Sequence, residues 1–322
     1  MVYTNALPDS GLASTWWRDK NNDAHIRVYY QDVDLFICEV KCDKGIWKKG
    51  SQRCFALPTK TSLAAIPYLP GDGNVSNIPP DLEVEIRLYT IDKSNSAPTI
   101  VEYSKSQTSG IWSKNATVPT FDLYPDSALG AVEYRTHLIR VFYQDKAGYV
   151  RVSQWGPVTN HWVVSTGGAN LRVSDAPAHI GTPIGAVQGP WHYLNWAAVV
   201  WQDNDNNIEG SISINDVPKA MSFPTKYPAS PSGSITVATW STEKTSIYYG
   251  GKDGGIQKLE LNNDSWSGPI NVFTGNIMDA DVSGSGGLAS AAYTSDAQSA
   301  ADHWGTVFYQ PGGQGTIVEI LI

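Results

Sequence analysis

Arg27 and Glu39 stand twelve residues apart, and Arg87 and Glu102 repeat the pair at a spacing of fifteen. Each arginine interrupts an apolar stretch, Ile26-Arg-Val-Tyr-Tyr-Gln in one case and Ile86-Arg-Leu-Tyr in the other. Each glutamate follows in the next apolar stretch, as Ile37-Cys-Glu and Ile100-Val-Glu. Two such stretches joined by a polar turn lie side by side in a hairpin, so guanidinium and carboxylate can face one cleft. The pair suits a ligand with vicinal hydroxyls, a monosaccharide above all: the carboxylate accepts hydroxyl protons and the guanidinium donates to hydroxyl oxygens. Charge-assisted bonds of this kind contribute about 1.5–3 kcal/mol each. A permanently charged Arg serves recognition better than acid catalysis. The competing reading is a salt bridge that only ties strands together.

Aligned on these two segments, the rest of the chain offers four more versions of the pair. Arg140 is matched by Val152 at the acid position, Ala198 by Gly210, Ser246 by Lys258, and Thr306 by Glu319. Two pairs are complete, two are halves and two are blank. A ligand site can decay repeat by repeat while the fold persists, whereas a structural tie is lost only where it is dispensable.

The segments that must position these groups recur six times. Each repeat opens with a short stretch of small and aliphatic residues, beginning at Leu12, Leu63, Leu129, Ile184, Ile235 and Leu288. The β-branched and aromatic stretch that carries the arginine position comes next, then a polar turn, then a third stretch beginning at Ile37, Ile100, Val150, Ile208, Ile256 or Ile317. Trp47, Trp112, Trp162 and Trp266 mark a fourth strand in four repeats. Twelve Trp, 16 Tyr and 29 Gly beside three Met fit strands and turns. Four antiparallel strands repeated six times predict an all-β, six-bladed β-propeller spanning residues 1–322 as a single domain. Small residues in the opening strand fit the crowded axis, and aromatic residues fill the wedges between blades. The sixth repeat stops after its third strand, so Val2–Ala6 is expected to supply the fourth and close the ring.

The succession of opening strand, Ile-Arg-Val-Tyr-Tyr-Gln, polar turn, Ile-x-Glu and Trp strand resembles the fungal fucose-binding lectins of the Aleuria aurantia type. That resemblance implies a six-bladed propeller with fucose sites between adjacent blades, an Arg and a Glu coming from one blade and aromatic residues from the next. Carried onto this chain, one site would use Arg27, Glu39 and Trp112, with Tyr103 a weaker aromatic candidate. A second would use Arg87, Glu102, Trp155 and Trp162. Fucose carries a methyl group where galactose carries a hydroxymethyl, so an apolar aromatic wall favours it. The implied partners are fucosylated glycans or glycoproteins.

Other classes fit less well. The net charge is −8 and the pI about 5.2, with no basic stripe for nucleic acid. No stretch approaches the ~18 apolar residues of a membrane-spanning helix. The N-terminus, MVYTNALPDS, lacks the pattern of a signal peptide, as expected of a mature protein or of a chain made without a leader; the compartment stays open between the cytoplasm and leaderless export to the cell surface. Cys38, Cys42 and Cys54 are an odd number, as readily free buried thiols as a disulfide. The Asp203-Asn-Asp-Asn-Asn turn lacks the Gly and the twelfth-position Glu of a calcium loop, so no metal or other cofactor is expected. A glycosidase needs a carboxylate pair or an activated Tyr with converging arginines, and here the arginines sit on separate blades. A degenerate propeller that binds protein is the remaining alternative. The oligomeric state, a dimer among the options, stays open.

Overall fold

Runs of β-branched and aromatic residues between polar turns build the strands, and the middle strands are buried on both faces, as Trp196–Gln202 is along its whole length. In the computed structural model the described residues are 2–321, apart from 9, 20, 22, 49, 69–83, 107–108, 135–137, 157–160, 164–171, 189–195, 215–216, 232, 242–243, 253, 263–264, 274–287, 295–302 and 311–315. Among them, 25 strands form six antiparallel sheets, the blades of a propeller.

Blade 1 contains β2 (Leu12–Arg18), β3 (Ala24–Gln31), β4 (Phe36–Asp43) and β5 (Ile46–Trp47), with β6 (Gln52–Ala56) also paired to β4. Blade 2 runs β7 (Leu63–Tyr68), β8 (Glu85–Asp92), β9 (Thr99–Ser106) and β10 (Trp112–Val118). Blade 3 runs β11 (Gly130–Tyr134), β12 (Leu138–Gln144), β13 (Val150–Gly156) and β14 (His161–Val163). Blade 4 comprises β15 (Gly185–Gln188), β16 (Trp196–Gln202), β17 (Ile208–Ile214) and β18 (Val217–Ala220). Blade 5 comprises β19 (Ile235–Ser241), β20 (Lys244–Gly250), β21 (Ile256–Asn262) and β22 (Ser265–Phe273). Blade 6 contains β23 (Leu288–Thr294), β24 (His303–Tyr309) and β25 (Thr316–Leu321), and its outer strand is β1 (Val2–Thr4) from the other end of the chain. Val2 lies opposite Val318 and Thr4 opposite Thr316. Ala6 then bridges to Asp32 of blade 1.

The innermost strands β2, β7, β11, β15, β19 and β23 touch in a closed ring. Crowding there explains their small residues. A Cβ on Gly130 would come within 2.9 Å of Ala186 Cβ, and one on Gly11 within 2.6 Å of the Leu63 backbone nitrogen.

The core lies between blades. Tyr89 and Ile91 of blade 2 pack on Ile139, Val141 and Tyr143 of blade 3, and Tyr29 and Ile37 of blade 1 pack on Ile86 and Leu88 of blade 2. The Gln that ends the Tyr-Gln motif ties these layers. Gln144 Nε2 donates to Gly148 O (3.0 Å) and His179 O (2.8 Å), while its Oε1 accepts from Gly181 N at 2.8 Å. Gln31 reaches the chain leading into blade 2 in the same way, Nε2 donating to Thr59 O and Oε1 accepting from Thr61 N.

The Asp203 turn is a hairpin. Asp203 Oδ1 accepts from the backbone nitrogens of Asp205 and Asn207. Among the described residues no group of three His, Cys, Asp or Glu could hold a metal ion.

Candidate functional site

Strand register gives the six repeats a common geometry. The residue two after the arginine position lies opposite the acid position in every blade: Tyr29 and Glu39, Tyr89 and Glu102, Phe142 and Val152, Val200 and Gly210, Tyr248 and Lys258, Phe308 and Glu319. Arginine, tyrosine and glutamate positions therefore share one blade face, turned toward the following blade.

Between blades 2 and 3 that face forms a compact constellation. Arg87 Nη1 lies 3.3 Å from Glu102 Oε1 and 3.4 Å from Oε2, and the Tyr89 hydroxyl donates to Oε2 at 2.9 Å. The guanidinium lies 3.8 Å over the Tyr68 ring and 5.4 Å from the centre of the Trp155 ring. Trp155 and Trp162 are cross-strand partners on blade 3, both half-buried. Trp155 meets Tyr68 edge-on at 6.1 Å, and Trp162 meets Tyr89 edge-on at 6.0 Å. Burial works against the Arg87 charge, but Glu102, Tyr89, Glu85 and Tyr68 together outweigh it and raise the pKa above the ordinary arginine value. Burial, then the Glu102 charge, pushes the Tyr89 hydroxyl well above its usual range, so it stays protonated and donates. All four residues expected for this site thus meet in one cleft.

The corresponding cleft between blades 1 and 2 is arranged differently. Arg27 turns to Asp43 (2.8 Å) and to the carbonyls of Ile26 (2.8 Å) and Cys42 (3.2 Å). Asp43 Oδ1 also holds His25 Nδ1 at 2.7 Å, and His25 stacks on Trp17. Glu39 is taken by Lys105 from blade 2, whose Nζ donates to Oε1 at 2.8 Å and Oε2 at 3.0 Å. Tyr29 donates to Oε2 at 2.7 Å, and Lys41 Nζ lies 3.0 Å from Oε1. Burial would raise the Glu39 pKa, but Lys105, Tyr29 and Lys41 together bring it below the ordinary glutamate value. Trp112 sits across this cleft, edge-on to Tyr29 at 5.7 Å and to Phe55 at 5.6 Å. Tyr103 is there too, stacked on Phe55 at 4.1 Å. The Nε of both Arg27 and Arg87 is buried without a hydrogen-bond partner among the described residues.

The remaining positions are reassigned within the propeller. Arg140 Nε donates to Gln154, and its Nη1 donates to Ser213 of blade 4. A side chain at Gly210 would collide with the Met221 sulfur at 2.7 Å. Lys258 pairs with Glu260 on its own strand at 2.7 Å. Thr306 Oγ1 donates to Glu319 at 3.1 Å.

The reading of the sequence missed Lys105, Asp43, Tyr68 and the two tyrosine hydroxyls. Tyr29 and Tyr89 carried a signal, since residues two apart share a strand face. Lys105 carried one as well. It stands three residues after Glu102, as Trp155 stands three after Val152, and it is the cross-strand partner of Trp112 as Trp155 is of Trp162.

Residues 2–117 match the family model described as fungal fucose-specific lectin. That span covers blades 1 and 2, the two with complete Arg–Glu motifs. No curated protein matches the chain in sequence. Among solved structures, the fucose-specific lectin from Aleuria aurantia is similar over 99% of this chain and 93% of its own, with a TM-score of 0.72 and 20% identity. The SapL1 lectin covers 99% and 94%, with a TM-score of 0.68 and 18% identity. AofleA from Arthrobotrys oligospora covers 100% and 85%, with a TM-score of 0.72 and 17% identity. The chain therefore has the six-bladed propeller fold of these proteins, and through its first two blades it matches the fungal fucose-specific lectin family in sequence.

Proposed function

We propose that the protein binds fucose-containing glycans, without catalysing any reaction on them, in the cleft between blades 2 and 3. The observation that carries this is the Arg87–Glu102 pair facing the half-buried rings of Trp155 and Trp162. Carboxylate and guanidinium match vicinal hydroxyls, and the indole rings suit the sugar's methyl group. The lectin family matched over residues 2–117 supports the ligand class. So do the propellers of this fold described in complex with alpha methyl fucoside, alpha-methyl-L-fucoside or Fucalpha1-6GlcNAc.

A monosaccharide buries little surface, so the dissociation constant is expected on the order of micromolar to millimolar. Display of many glycans on one surface would raise the apparent affinity through multivalency. Calorimetry with L-fucose, fucosyllactose and galactose tests the reading. Saturable heat with the fucosides and much weaker heat with galactose supports it. No heat with any fucoside at millimolar concentration contradicts it.

A further inference from the structure

The two complete Arg–Glu motifs look interchangeable in sequence, yet their carboxylates have different capacity left. An ionised carboxylate offers about four lone-pair positions. Glu39 receives four contacts from donors at 3.0 Å or less: two from Lys105, one from Tyr29 and one from Lys41. Its side chain is 0% exposed and that of Lys105 only 5%. Glu102 receives one short bond, from Tyr89, and two long contacts from a single Arg87 nitrogen. The wall differs as well. Phe55, carried on β6 of blade 1, stacks on Tyr103 and edges against Trp112, whereas Trp155 is met by Tyr68 edge-on and by the Arg87 guanidinium. Asp43, meanwhile, draws the Arg27 guanidinium away from Glu39.

We propose that Lys105 converts the cleft between blades 1 and 2 into a closed ion-pair latch that holds the blades together and takes no sugar. The residue at the Lys105/Trp155 position thereby decides whether a cleft with an intact Arg–Glu motif is a tie or a binding site. The sugar half of this statement rests on the function proposed above; the latch half does not. An ammonium at that position supplies the carboxylate with the hydrogen bonds a sugar would make. An indole leaves them to the ligand and offers a ring face.

Two measurements test this, one for each half. The first is a double-mutant cycle of Lys105→Met and Glu39→Gln, read by urea unfolding. Either single change leaves one buried partner without its counterpart and should lower the folded-to-unfolded ratio about a hundredfold or more. The double variant should lose far less than the product of the two. Independent, multiplicative losses would overturn the latch, whether or not the protein binds fucose.

The second measurement is calorimetry with methyl α-L-fucoside on Glu102→Gln, which should lose the sugar-binding heat. A site that persists in Glu102→Gln and disappears when Glu39→Gln is added would show that the first cleft binds sugar, and would overturn the proposal. A parent protein that binds no fucoside refutes the proposed function and the sugar half with it, while the cycle still decides the latch.

Discussion

Glu39 and Glu102 occupy the same place in consecutive blades, each opposite the tyrosine two residues after its arginine, yet they answer to different cations. Lys105 reaches Glu39 from across the cleft, whereas Arg87 meets Glu102 from within the same blade. The difference lies outside the motif, in Lys105 of the neighbouring blade and Asp43 of the same blade. One of two matching sequence signatures thus keeps its Arg–Glu contact, while in the other the carboxylate is tied to the next blade.

Arg87→Ala should weaken fucoside binding about thirtyfold or more, the equivalent of roughly 2 kcal/mol, because the sugar's acceptors lose their charged donor and Glu102 keeps only Tyr89 of the donors described. Titration calorimetry of the variant checks this. Arg140→Ala is the informative comparison. Its guanidinium already bonds Gln154 and Ser213, so its loss should lower stability and leave fucoside stoichiometry as in the parent.

Trp155→Ala removes a half-buried ring from the wall of the same cleft. Fucoside affinity should fall about tenfold, and the preference for fucose over galactose should shrink with it, since the methyl group loses its apolar contact. Competition between the two sugars, measured on parent and variant, separates this from a general loss of binding.

Gln144→Ala should cost about 1–3 kcal/mol, since it leaves the Gly181 nitrogen without its acceptor, while the Gly148 and His179 carbonyls keep the backbone donors Ala178 and Thr182. Urea denaturation reads the loss directly. A change below 0.5 kcal/mol would show that these bonds are replaced without cost.

Acid sensitivity should trace to the network at the rim of blade 1. Burial opposes the Asp43 charge, but bonding to His25 and the nearby Arg27 guanidinium hold its pKa at about 2, against an ordinary 3.8. Lys48 lies 3.4 Å away on the outer side. The folded chain therefore binds fewer protons than the unfolded one below about pH 5. The stability from Asp43 is complete above that range and is lost as pH falls toward 2, with Glu39 contributing in the same direction. Asp43→Asn should flatten the fall in melting temperature between pH 5 and pH 3.

Cys38, Cys42 and Cys54 are free thiols, and burial is the main influence raising each, to about 11, 11 and 12. The thiolate is the reactive form, so all three should resist a disulfide reagent at pH 8 in the folded protein and react together on unfolding. Rapid labelling of Cys54 in the native state would argue against the packing of β6 over the blade 1–2 cleft.

The blades were legible because each repeat carries β-branched and aromatic runs that make strands and a polar turn that keeps count. Even the three extra residues before Glu102 leave it opposite Tyr89. The gathering of Arg87, Glu102, Trp155 and Trp162 in one cleft was legible for the same reason, since all four lie at fixed places in their repeats. The expected meeting of Arg27 with Glu39 was not realised, because two residues outside the motif, Asp43 and Lys105, compete for its members. Such competition depends on which side chains face each other across a cleft between separately folded hairpins, and spacing along one strand does not reveal it. Gln52-Arg-Cys-Phe-Ala, which forms β6, has no alternating pattern to announce a strand. It exists because β4 extends beyond the short β5 and leaves an edge to be paired. The role of the recurrent Gln was likewise hidden, since its partners are backbone groups that carry no side-chain signature.

The most direct test of the account is a crystal structure of the protein with methyl α-L-fucoside at saturating concentration. The sugar should lie between blades 2 and 3, its hydroxyls on Arg87 and Glu102 and its methyl group against Trp155 or Trp162, with the blade 1–2 cleft still closed by Lys105. Sugar bound only elsewhere, or an empty Arg87–Glu102 cleft at saturation, would contradict it.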